Sequence, residues 1–243
     1  MSRENKGGSR WRKAVCVLLI AVLLPAVLYL GQRYGRDRYY LMSAAVLIIA
    51  MLPFFLMFEQ RRPQPRELVM LAVMSALAAA SRAAFIWLPG FKPMMGIVII
   101  AGVAFGAQFG FLTGTLSVLV SNFLFSQGPW TPWQMFAFGM GGLLAGLLGR
   151  MGAFSGRRVP VGIALCLYGA PAVLLVAGPI LDTYSVLSML SRITPEGVAA
   201  VFLAGLGSNV THAVATVATL LLFGKPMLEK LRRVQRKYGM MEG

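Results

Sequence analysis

The chain has 243 residues, 58% of them hydrophobic and 13% charged, with a mean hydropathy of +0.72. Soluble domains carry about a quarter charged residues and, at this length, have too little interior to hide so much apolar side chain. A bilayer accepts helices that are hydrophobic all round. The formal charge of +15 does not indicate a nucleic-acid partner, because the basic residues lie in short clusters between apolar runs, the pattern of loops beside anionic lipid.

Apolar runs near twenty residues predict membrane spans at 14–30 and 41–58, then at 68–88, 94–107, 109–125, 133–149, 161–180 and 198–223. The first is read as an anchor helix. Its apolar run is longer than a signal-peptide core, and GQRYGRDRYY follows where a small-residue cleavage site would stand. Cys16 and Cys166 sit in separate apolar runs without metal or redox spacing, as small buried hydrophobes.

The stretch 94–125 decides the topology. As one helix it would run about 48 Å, against a hydrocarbon core of about 30 Å. Two crossings put four basic clusters on one face: Arg3/Lys6/Arg10/Arg12/Lys13, Arg61/Arg62/Arg66, Arg150/Arg157/Arg158, and the tail from Lys225 to Lys237. The positive-inside rule then places both termini in the cytoplasm, with Arg33, Arg36 and Arg38 on the opposite face and partly offset by Asp37. Gly102, Gly106, Gly110 and Gly114 recur every fourth residue, which permits close backbone approach and a turn. Gly139, Gly142, Gly146 and Gly149 repeat the device, and both stripes are expected to pack inside the bundle.

The predicted fold is all-α and integral to the membrane. Two N-terminal transmembrane helices and a basic connector (1–66) precede a six-helix core (67–224) and a basic cytoplasmic tail (225–243). The stretch 181–197, with Asp182, is expected outside the membrane as a loop able to form a short interfacial helix.

Catalytic patterns are missing. There is no GxxxxGK[ST], hence no ATP hydrolysis in this chain. His212 is the sole histidine, so HExxH cannot occur, and Asp37 and Asp182, the sole aspartates, both fall in expected outer loops. No enzyme activity, cofactor or metal is expected. Ion-coupled transporters place ionisable residues in their spans; here those are Arg82, His212 and, at a helix start, Glu67. The chain therefore reads as one that binds something and relies on partners. The alternative is a non-transport membrane protein, either an intramembrane enzyme or a scaffold.

Polar and aromatic groups gather at three places. Arg82, Phe85, Trp87 and Lys92 lie at and beyond the end of the first core helix. Asn122, Gln127, Trp130, Trp133 and Gln134 surround the proline-stiffened outer loop between the third and fourth core helices. Asn209 and His212 share a face of the last span. Each has a plainer reading: a snorkelling arginine, an interfacial aromatic belt, and hydrogen bonds between helices.

ALAAASRAAFIWLPGFKP, followed by IVIIAGVAFGAQFGFLTGTLSVLVSNFLFSQGPWTPWQM, resembles the substrate-binding S components of energy-coupling factor (ECF) vitamin transporters. The likeness covers about 67–223, and the GPWTPWQ segment with the preceding glycine-rich hairpin is its most distinctive part; the two leading helices depart from the usual six. The resemblance implies uptake of a vitamin or related micronutrient across a bacterial plasma membrane. Substrate would be bound outside, and partners would be a transmembrane T subunit and two ATPases. The family docks its T subunit through AxxxA on the first core helix, which Ala72 and Ala76 match, although Ala76/Ala80 and Ala79/Ala83 share the spacing. The eleven residues at the three places above would line the outer pocket, Arg82 and Lys92 drawing an acidic or phosphate group and the tryptophans stacking on a ring. Cobalamin, a pterin-like or deazaguanine ring and other vitamins all suit such a pocket.

Overall fold

The computed structural model describes residues 39–60, 63–156, 159–190 and 192–240. The predicted span 14–30, the N-terminal basic cluster, Arg33, Arg36, Asp37, Arg38, Arg61, Arg62, Arg157 and Arg158 lie outside the described residues. The chain divides into two units, Met1–Pro63 and Gln64–Gly243. In the first, the described residues form one helix, α1 (Tyr39–Gln60), apolar over Ala45–Leu56 and carrying Pro53, where the second span is predicted.

In the second unit every element among the described residues is helical, as the bilayer demands of a backbone that finds no water to bond. The elements are α2 (Pro65–Ala84), α3 (Met94–Phe105), α4 (Ala107–Phe125), α5 (Thr131–Arg150), α6 (Val161–Pro171), α7 (Gly178–Met189), α8 (Pro195–Thr219) and α9 (Lys225–Tyr238). A π-helical stretch, Ala172–Ala177, joins α6 to α7, and another, Leu220–Gly224, joins α8 to α9. Each contains the residue four positions before a proline, Leu175 before Pro179 and Leu222 before Pro226. A proline ring clashes with that carbonyl and offers it no N–H, and widening the turn relieves both problems. Among the described residues, four helices are long and apolar enough to cross a membrane: Pro65–Ala84, Ala107–Phe125, Val161–Met189 and Pro195–Tyr238. This is a multi-pass membrane protein.

The hairpin forms where the glycines predict it. Gly106, at φ 98°, ends α3 and begins α4. Side-chain space around the glycines gives the helix directions. A Cβ on Gly110 or Gly142 would run into the backbone of the other, one on Gly114 would meet Phe138, and one on Gly146 would meet Ala107, so α4 and α5 are antiparallel. Gly141 abuts Met95 and Gly149 faces Val103, so α3 runs parallel to α5 and the chain reverses at Gly106. Both stripes pack inward, and every residue of α3 is buried.

The remaining helices continue the alternation. Gly169 abuts Leu220 and Gly178 abuts Asn209, which makes α6–α7 antiparallel to α8. Thr194 caps α8, its hydroxyl oxygen accepting from the Gly197 N–H at 3.1 Å, with Pro195 in the first turn. Arg66 donates to the Tyr238 carbonyl, and Gly106 lies beside the Arg150 guanidinium. Arg66, Arg150 and the end of α9 thus share one end of the bundle. Leu228 and Leu231 of α9 are buried, while Lys225, Lys230, Arg233, Arg236 and Lys237 are exposed.

One expectation is corrected here. Asp182 is not in an outer loop: it lies inside α7 and is 8% exposed, its carboxylate accepting from Asn209 Nδ2 at 2.8 Å. The helix runs on to Met189, so 181–197 holds no separate interfacial helix. Hydroxyls that turn back onto the helix, Thr183 to the Pro179 carbonyl at 2.7 Å and Ser185 to the Leu181 carbonyl at 3.3 Å, make these residues compatible with an apolar surrounding.

Candidate substrate cavity

At the end opposite Arg66 and Arg150, the helices part around a small, partly open cavity. Its polar wall is Arg82 from α2, Lys92 from the α2–α3 loop, Gln134 from the first turn of α5 and His212 from α8. Met94, Val118, Phe138 and Leu181, from α3, α4, α5 and α7, complete it with apolar surface. Residues as far as 130 positions apart in the chain, Arg82 and His212, meet here because the alternating helices bring the top of each to one level.

Arg82 is held in place by neighbours rather than stretched toward a headgroup layer. Its Nη1 donates to Ser121 Oγ and to Asn122 Oδ1, both at 2.7 Å, and its guanidinium lies 4.5 Å from the centre of the Phe125 ring. Asn122, fully buried, in turn donates through Nδ2 to Gln134 Oε1 at 2.9 Å and to Thr131 Oγ1 at 3.1 Å. The Thr131 hydroxyl donates to Gln127 Oε1 at 3.0 Å, and Gln127 Nε2 donates to the Leu119 carbonyl at 3.1 Å. One network therefore ties the tight turn after α4 to the cation in the cavity wall.

No carboxylate pairs with either cation among the described residues: the bonds of Arg82 go to neutral groups, and the charge that acts on Lys92 is that of Arg82. Burial, and then the charge of Arg82, push the Lys92 ammonium below the ordinary lysine range. His212 is 7% exposed and stacks on Phe138, ring centroids 5.4 Å apart, and its Nε2 has no hydrogen-bond partner.

Of the eleven residues singled out by sequence, Arg82, Lys92, Gln134 and His212 line this cavity, and Asn122 stands directly behind two of them. The others lie elsewhere. Trp87 is 88% exposed, and Phe85 is paired with Phe91 at 5.1 Å in the loop. Gln127 is exposed, and the Trp130 ring folds over Gly128 of its own turn. Trp133 is 7% exposed, packed inside the bundle with its ring 6.1 Å from that of Tyr184. Asn209 spends its amide on Asp182. Met94, Val118, Phe138 and Leu181 escape a sequence reading, because an apolar residue in a membrane helix carries no sign of which way it faces.

Ala72 and Ala76 are exposed on α2, beside the exposed Leu68, Val69, Val73, Leu77 and Ala80. Ala79 is buried, so only the first two of the three AxxxA pairs lie on an outward face.

An all-helical, multi-pass membrane protein with a mixed polar and apolar cavity at one end of its bundle is the class these features define. Within that class, the family model for the ECF-type riboflavin transporter S component matches residues 63–229, and the chain belongs to this family. The match begins after α1 and ends within α9. No curated protein and no solved structure matches the chain.

Proposed function

We propose that the chain is the substrate-binding subunit of an ATP-driven importer, taking up a micronutrient through the cavity at Arg82, Lys92, Gln134 and His212. The observation that carries this reading is that a cavity lined from α2, the α2–α3 loop, α3, α4, α5, α7 and α8 lies at the end away from Arg66, Arg150 and the basic face of α9. By the positive-inside rule that basic end faces the cytoplasm, so the cavity opens outward in a bacterial plasma membrane and the carboxy terminus is cytoplasmic. In this arrangement α2, α3, α4, α5, the continuous α6–α7 and the continuous α8–α9 each cross the membrane. Riboflavin is the substrate in the family's description.

Energy would come from a T subunit and two ATPases. Ala72 and Ala76 give α2 a shallow outward strip on which a partner helix can lie close. Leucine at both positions fills that strip without touching the cavity. Ala72→Leu with Ala76→Leu should abolish co-purification of the T subunit and ATPases from membranes while ligand binding in detergent stays within about twofold, as expected for changes remote from the site. Retention of the partners would dismiss this docking face, and a wild-type chain that brings down neither partner would dismiss the importer reading.

A further inference from the structure

We infer that the cavity is built for an acid, a small ligand whose carboxylate or phosphate group is held by Arg82 and Lys92, with His212 as a third polar contact. This deepens the uptake reading and rests on it, and it sets the chain apart from the uncharged riboflavin of the family's description.

Two cationic side chains line one small cavity with no carboxylate paired to either among the described residues. Like charges brought together away from bulk water repel one another, and no counter-charge among the described residues offsets that repulsion. Long basic side chains near a membrane surface ordinarily escape this cost by snorkelling. Arg82 does not: Ser121, Asn122 and the Phe125 ring fix its guanidinium at the cavity wall, and Gln134 and Thr131 fix Asn122. Such outer support is what an ion-binding group needs to keep its geometry before the ligand arrives. His212 adds an independent sign. It lines the same cavity, is 7% exposed, and holds an unpartnered Nε2, a polar atom that a bonded ligand would satisfy. Phe138, stacked on His212, and Met94, Val118 and Leu181 offer the apolar surface for the rest of the molecule. Asp182 forms no ion pair with either cation among the described residues; its carboxylate accepts from the Asn209 amide.

The test uses the full chain purified in detergent, with inorganic phosphate as the probe, and extraction of whatever small molecule the protein retains. The wild-type Tm should rise in sodium phosphate relative to sodium chloride at equal ionic strength. In Arg82→Gln, and separately in Lys92→Gln, whose loop position makes it the safer variant for folding, the phosphate concentration giving half the shift should rise about tenfold or more. Arg233→Gln, an exposed cation on α9, should leave it unchanged. Any molecule extracted from the wild type should migrate as an anion at neutral pH and be depleted from both cavity variants. A neutral retained molecule, or a Tm indifferent to phosphate or equally responsive in the variants, overturns the inference. If the wild type still brings down the T subunit and ATPases in that case, the importer reading survives and the acid alone is lost. If it brings down neither while the phosphate shift stands, the reverse holds.

Discussion

Positive charge collects at both ends of the α2–α9 bundle, under opposite conditions. At one end Arg66, Arg150, Lys230, Arg233 and Lys237 stand exposed around the close of α9. At the other, Arg82 and Lys92 are part-buried in a cavity wall, with neutral hydrogen-bond partners for Arg82 and a neighbouring His212 whose Nε2 has none. Exposed cations are screened by water, salt and lipid headgroups, so they orient a membrane protein at little cost and little individual benefit. Cations withdrawn from water are costly to keep, and here a layered hydrogen-bond network pins Arg82 in the cavity wall. Composition alone counts the two sets together. Burial separates them.

Replacing charges at the two ends sharpens that contrast most. Arg82→Gln combined with Lys92→Gln should weaken binding of the retained ligand by about a hundredfold or more, since each charged hydrogen bond contributes about 1.5–3 kcal/mol. Equilibrium binding in detergent measures it. Next in size is a change in the packing that holds the cavity walls. A methyl group on Gly142 would run into the Gly110 carbonyl, so Gly142→Ala should lower stability by about 1–3 kcal/mol in thermal unfolding. Gly207, with nothing near its Cβ position, is the control, and Gly207→Ala should cost nothing.

A smaller effect probes the support behind Arg82. Asn122→Ala removes an acceptor for the guanidinium and its link to Gln134, and ligand affinity should fall by about tenfold, with Arg82 itself intact. An unchanged affinity would mean that Arg82 needs no positioning. The smallest change is expected at the other end, where Arg66→Gln and Arg233→Gln should shift ligand affinity by less than about twofold. A large loss there would erase the distinction between the two ends.

Much of this was legible in the sequence where backbone geometry leaves a residue-type signature. The glycine register at 102–114 announces a close-packed reversal, and the chain does turn at Gly106. Apolar runs locate the helices of the described spans, although their ends were read short at Asp182. A lone aspartate after an apolar run looks like the start of a loop, and its partner Asn209 lies on another helix, where no local pattern connects them. Aromatic residues were the least informative. Trp87 and Trp133 carry the same sequence signal, yet one is almost wholly exposed and the other buried against Tyr184. The ionisable residues Arg82, Lys92 and His212 have few places to go in an apolar bundle, and they line one cavity. Phe138 and Leu181 give no such clue.

The assignment of the cavity end to the outside is tested most directly by labelling whole cells with a membrane-impermeant maleimide, after Cys16→Ser and Cys166→Ser remove the native thiols. A cysteine at Gln127, on the exposed turn beside the cavity, should react in intact cells, whereas one at Arg150 should react only after permeabilisation. The reverse pattern would point the cavity at the cytoplasm and contradict its role as a receptor for an external nutrient.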